Sequence, residues 1–103
     1  MRQFELYQNP SERSRPVAPF VVVLQSHLLD AMPTVIVAPL IIDDGRSAYV
    51  EASVRIEWEG ATYLMSVGEL VAIDARSLSR SLGFLGEHED AIRRALERLF
   101  TGF

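Results

Sequence analysis

Imidazole, carboxylate and hydroxyl groups are the side chains with which a chain lacking cysteine could do acid–base, metal or nucleophilic chemistry. Two histidines occur, His27 and His88. They stand far apart, and neither forms the paired-histidine spacing of a helical metal site, so no metal is expected. Serines are plentiful, but no nucleophile elbow surrounds any of them, which leaves a Ser/His/Asp triad unsupported. Carboxylates gather at Asp43-Asp44, next to Gly45, and at Glu87, Glu89 and Asp90. The first group reads as a turn, and the second as the negative charge favoured in the first turn of a helix. Gly83 and Gly86 lack the spacing of a phosphate loop or a dinucleotide fingerprint. The expectation is a chain with no catalytic residues and no cofactor.

Binding is better represented than catalysis. The chain ends Leu99-Phe100-Thr101-Gly102-Phe103. Aromatic residues are unusual at a terminus, where polar, frayed sequence is the norm. Phe100 either closes the core under a helix or is exposed, and Phe103, beyond the glycine, is the better candidate for an exposed apolar contact. Trp58 and Tyr63 read as cross-strand or core packing rather than as a ligand platform.

The elements that must position these residues follow from periodicity. Residues 3–8 alternate as a half-buried strand. Asn9 to Pro19, with three of the five prolines, breaks every period and reads as a long loop of the kind that binds or moves. Phe20 to Leu24 suits a strand buried on both faces. Val35 to Ile42 is a second β-branched run, in which Pro39 marks an edge or a bend. Val50, Ala52, Val54, Ile56 and Trp58 recur at every second position, and Glu59-Gly60 turns that strand into a hairpin partner at residues 61–65. Residues 71–73 form a further short strand, and residues 74–86 read mostly as loop. Ala91, Ile92, Ala95, Leu96, Leu99 and Phe100 make one apolar stripe of a helix over residues 87–100, with Gly102 placed as its cap. Several strands followed by one terminal helix define a mainly-β or α+β small barrel.

Composition narrows the function classes. The 103 residues are 49% hydrophobic, enough for one domain spanning 1–103 and too few for two cores. Ten basic residues, all arginine, stand against fourteen acidic ones, for a net charge of −4. That balance argues against a general nucleic-acid binder or a ribonuclease. The absence of cysteine, the lack of a signal-peptide core at the N-terminus and the shortness of every apolar run point to a cytoplasmic protein without a membrane span. The apolar excess, with mean hydropathy +0.13, is the first hint of a partner or a second subunit.

Four stretches carry a resemblance: Gln3-Phe4 with Tyr7; Val23-Leu24-Gln25-Ser26-His27-Leu28-Leu29-Asp30; Val37-Ala38-Pro39-Leu40; and the terminal helix ending Leu99-Phe100-Thr101-Gly102-Phe103. In this order and at this spacing the chain resembles the CcdB toxins over nearly its whole length. The resemblance implies a small SH3-like β-barrel with a C-terminal α-helix, assembled as a homodimer with its terminal helices near each other. It also implies a plasmid-maintenance toxin that poisons DNA gyrase by entering between the arms of the A subunit dimer and trapping cleaved DNA, with no bond made or broken by the toxin. An antitoxin of the CcdA type would neutralise it, and operator DNA would be met only through that antitoxin.

Carried over by position, the gyrase-contact residues are Leu28, Leu29, Phe100, Thr101, Gly102 and Phe103. Thr101 stands where the family has a tryptophan, and Glu97 replaces a neutral polar residue one turn earlier. In the family that tryptophan stacks on an arginine of gyrase, a contact worth about 0.5–2 kcal/mol that threonine cannot make. Either Phe100 or Phe103 supplies the stack instead, or the chain has another target or none, acting only as an antitoxin-binding autoregulator. Arg13 and Arg15, in the long loop, are the candidates for antitoxin contact. The same superfamily includes the MazF and Kid ribonucleases, for which Arg46 would be the candidate; the acidic charge and the C-terminus favour CcdB.

Overall fold

A computed structural model describes residues 1–26, 31–44 and 52–102. His27, Leu28, Leu29, Asp30, Arg46, Val50 and Phe103, named above, lie outside the described residues.

The β-branched run of residues 34–42 becomes the organising strand. Seven strands are described: β1 (Glu5–Gln8), β2 (Phe20–Val23), β3 (Thr34–Ile42), β4 (Ser53–Trp58), β5 (Ala61–Ser66), β6 (Val71–Asp74) and β7 (Gly83–Phe84), followed by helix α1 (Glu89–Thr101). They form one antiparallel sheet in the order β4-β5-β3-β2-β1-β7, with β6 attached to β3. Along one side β3 pairs with β2; along the other its first half pairs with β6 (Val37 opposite Val71) and its second half with β5 (Leu40 opposite Met65). That change of partner curls the sheet into a half-barrel, and α1 packs across it, on β4 and on the 3-10 turn at Val67–Glu69.

Pro39 marks the change of partner, so it is a bend inside a central strand and not an edge. The Leu24 N–H donates to Ile36 O at 2.9 Å, which makes Leu24–Ile36 a hydrogen-bonded pair. Alternation then makes Val22–Ala38 the next such pair and Val21–Pro39 a non-bonded one. The Pro39 nitrogen therefore points away from β2, into the gap between β6 and β5, where no donor is needed.

Alternation also explains the two cores. On one face Leu6, Val22, Leu40, Ile56 and Met65 pack with Ile92 and Ala95 of α1. On the other, Tyr7, Val21, Val23, Val35 and Val37 pack under Ile73, Ala75 and Leu78. The Phe20–Leu24 run is thus buried on both faces, as its continuous apolarity predicts.

The β4–β5 hairpin closes through Glu59 and Gly60, with φ of +47° and +81°, between the paired residues Trp58 and Ala61. Both central residues are left-handed, the geometry that favours Asn-Gly. Glu59 holds it with a side chain poorly suited to positive φ. Glu59→Asn is expected to stabilise the fold by about 0.5–1 kcal/mol, seen as a higher thermal midpoint.

Residues 74–86 hold more order than their sequence suggests. The Asp74 carboxylate accepts from the Arg76 backbone N–H at 2.9 Å and pairs with its guanidinium at 3.0 Å, starting a short 3-10 turn at Ala75–Ser77. Further on, β7 pairs with β1, its backbone flanked by bonds from Leu82 N–H to Leu6 O (2.7 Å) and from Leu85 N–H to Phe4 O (2.9 Å).

Candidate functional site

The apolar stripe of α1 is longer than the barrel that covers it. Ile92 and Ala95 are fully buried, but Leu99 is 37% and Phe100 71% exposed. The first turns of the helix close the core, and the last one carries the same stripe beyond the sheet edge. Of the two readings of Phe100, the structure shows the exposed one. Its ring borders a groove of about 180 Å³ formed with Leu24, Gln25, Ile36, Leu70 and Leu96. Gln25 shapes this groove: its side-chain oxygen accepts the Ile36 N–H at 3.3 Å.

The helix ends as its sequence predicts. Gly102 is left-handed, with φ +79°, and donates its N–H to Arg98 O at 3.1 Å. Thr101 is exposed, but its hydroxyl turns back to donate to Glu97 O at 2.6 Å. The Thr101 hydroxyl therefore serves its own helix, and among the described residues Phe100 and Leu99 are the apolar side chains presented at this end. Among the predicted gyrase-contact residues the structure thus brings Phe100, Thr101 and Gly102 to one exposed helix terminus.

A second surface lies under the long loop. Asn9 is buried, and its amide donates to Ala18 O (2.8 Å) and Ser14 Oγ (2.9 Å) while its oxygen accepts the Ser11 N–H (3.0 Å). The Arg15 Nε–H donates to Asn9 O at 2.9 Å. This network makes residues 9–18 a braced arch over a groove of about 330 Å³, floored by Val21, Val37, Pro39, Val71 and Ile73. Of the two arginines proposed for antitoxin contact, Arg15 has a structural role and Arg13 stands exposed. The signal for the arch was the Asn-Pro-Ser sequence, an Asx-turn composition. Asn9→Ala is expected to cost about 1–2 kcal/mol in chemical denaturation, because it leaves the Ala18 carbonyl and the Ser11 amide without their partner.

Reactive groups are scattered by comparison. His88 lies 3.6 Å from Glu87, in the turn that opens α1, near Arg55 and Glu57. Among the described residues no three His, Asp or Glu side chains gather as metal ligands. Glu69 is, among the described residues, the one ionisable side chain lining the groove under the arch. The Asp74 carboxyl is held below the usual carboxylate range, first by its side-chain hydrogen bond from Arg76, which is raised in turn. A depressed carboxylate stabilises above its unfolded value and loses that contribution as pH falls through the folded one. This pair therefore supports the turn it caps at neutral pH and loses that support in acid. Among the described residues no helix is long and apolar enough to cross a membrane.

Comparison with known structures defines the class first. The Mycobacterium tuberculosis toxin MazF-mt6 superposes with a TM-score of 0.72 at 18% identity, over 96% of each chain. A mycobacterial endoribonuclease in complex with its cognate antitoxin gives 0.75 at 11% identity, over 96% of this chain and 93% of that one. A third structure, described as an Mtb toxin, gives 0.68 at 20% identity, over 79% of this chain and 91% of that one. The fold is that of small toxins. Comparison with curated proteins finds no significant match. Residues 3–102 match the family described as CcdB protein, and the chain belongs to that family of toxins from toxin–antitoxin systems.

Proposed function

We propose that the protein is a non-enzymatic toxin that binds the DNA gyrase A subunit through the C-terminal end of α1 and traps the cleaved DNA complex. The observation that carries this reading is Phe100, 71% exposed at the end of an otherwise core-facing apolar stripe. A large aromatic left in water at a helix terminus, beside half-exposed Leu99, has the character of an interface anchor. Phe100 supplies the aromatic face that Thr101 lacks and stacks on an arginine of the target. Leu28, Leu29, Gly102 and Phe103 complete the contact.

The active form is a cytoplasmic homodimer of a single domain, which puts two such helix ends side by side. An antitoxin of the CcdA type neutralises it, with Arg13 at the rim of the loop arch meeting an acidic stretch and Arg15 holding the arch in shape. Operator DNA is met only through that antitoxin. The endoribonuclease reading rests on fold likeness alone, and a groove whose only described ionisable group is Glu69 offers little for RNA cleavage.

The test is a cleavage-complex assay with gyrase from the organism that encodes the chain. Purified protein is expected to accumulate cleaved DNA, and Thr101→Trp to do so at lower concentration by adding a second aromatic face. Failure of the unmodified chain together with success of Thr101→Trp would sink the gyrase reading for this protein. Sequence-specific cuts in a long RNA would instead establish the ribonuclease.

A further inference from the structure

The chain is acidic overall, yet three of its ten arginines line one groove. Arg55 projects from β4, and Arg94 and Arg98 from α1, around a space of about 290 Å³ that Ser53, His88 and Ala91 complete. No carboxylate lines this groove among the described residues.

The placement is not what helix stability alone favours. Arg93 reaches back one turn and pairs with Glu89 at 3.0 Å. Arg94 has Asp90 at the same spacing but makes no ion pair with it or with any other described residue, and lines the groove instead. Arg98 follows one turn later, and like charges at that spacing disfavour a helix. Arg55 meets Asp43 at 3.6 Å with its side chain 71% exposed, a contact that water and salt weaken. Three guanidinium groups, and no described carboxylate, line this one short edge.

We propose that the groove between β4 and α1 binds a short acidic segment of a protein partner, its carboxylates received by Arg55, Arg94 and Arg98. Guanidinium forks match carboxylates bidentately, and side chains on two facing elements can clasp a strand of peptide between them. The dimensions set the length. From Ala91 to Arg98 the helix rises about 10 Å, the reach of about three residues of extended chain. Past His88 the surface turns acidic at Glu57 and Glu87. A nucleic-acid strand, charged at every step, would run into those carboxylates and into a molecule of net charge −4. A peptide with two or three consecutive Asp or Glu ends before it meets them. The inference needs neither gyrase nor an antitoxin to be the partner.

The test uses fluorescence anisotropy with the full chain and three labelled probes: a peptide with a central Asp/Glu run, the same peptide with Asn/Gln in that run, and a short DNA duplex. The acidic peptide is expected to bind at low salt and to weaken as salt rises, while the amide peptide binds at least about tenfold more weakly. Arg94→Glu is expected to weaken the acidic peptide by about tenfold or more, Arg94→Gln by less, and Arg80→Glu, an equal change of charge outside the groove, by little. Arg94 is exposed and glutamine is a good helix former, so the Arg94→Gln chain keeps the test informative if charge reversal disturbs folding. No binding of the acidic peptide, equal losses in Arg94→Glu and Arg80→Glu, or tighter binding of the duplex with the same dependence on Arg94 would each overturn the proposal. Gyrase trapping is read in a separate assay, so either result can fail alone.

Discussion

Replacing Phe100 with alanine is expected to abolish trapping of cleaved DNA while leaving the fold almost untouched. With 71% of its surface already in water, Phe100 loses little packing on truncation, so the cost in stability is expected to stay within about 0.5 kcal/mol. Binding responds differently. A central aromatic anchor is worth about 2–4 kcal/mol to an interface, which is about 30-fold to 1,000-fold in affinity at 1.4 kcal/mol per factor of ten. Ile92→Ala gives the opposite pattern from the same helix. Ile92 is fully buried against the sheet, and truncation there is expected to cost about 2–4 kcal/mol in unfolding free energy. Cleavage-complex titrations and denaturant melts of the two variants separate the roles. A Phe100→Ala chain that traps cleaved DNA at the original concentration would remove the helix end from the interface.

Why Phe100 needs the structure to be placed is a matter of what periodicity encodes. The stripe from Ala91 to Phe100 tells which face of α1 is apolar, but not where the sheet beneath it ends. At that end the helix meets Ile36 of β3 together with Leu24 and Leu70, which line the groove with Leu96 and Phe100 and are remote from them in sequence. The β4–β5 hairpin was legible because both its signals are local: alternation at Val54, Ile56 and Trp58, and a Glu-Gly turn. Gln25 shows a third case. It belongs to the sequence pattern that pointed to the family, and its side chain holds the Ile36 N–H, so part of that pattern is architecture. Arg15 is similar, since its exposed-looking charge in a polar loop is used within the arch. The strand at Gly83–Phe84 was illegible for a simpler reason: two residues carry no period, and its cause lies on another strand.

That cause is Trp58, and it makes Gly83→Val the most destabilising change expected at any glycine of the described chain. A Cβ at Gly83 would lie 2.1 Å from the Trp58 ring and within 2.9 Å of two further ring atoms. The indole is a rigid plate packed against the core cluster, so it cannot bend aside at one atom. Either β7 lifts away from β1, losing its pairing with Glu5 and Leu6, or the ring swings into water. Overpacking of this kind costs about 3 kcal/mol, a large share of the stability of a small domain and a fall of about 12 °C or more in thermal midpoint. Trp58 is the only tryptophan, so its own emission reports the route. A red shift in the folded variant means that the ring has moved out, and an unchanged maximum with lost protection of the Leu82 and Leu85 amides means that the strand has lifted. Trp58→Leu should remove most of the clash, so that the double variant is less destabilised than the sum of the single ones. Strict additivity would show that the ring and Gly83 do not share this contact in solution. The tight approach of one glycine to one aromatic would then have no part in fixing the strand that leads into the helix and its exposed end.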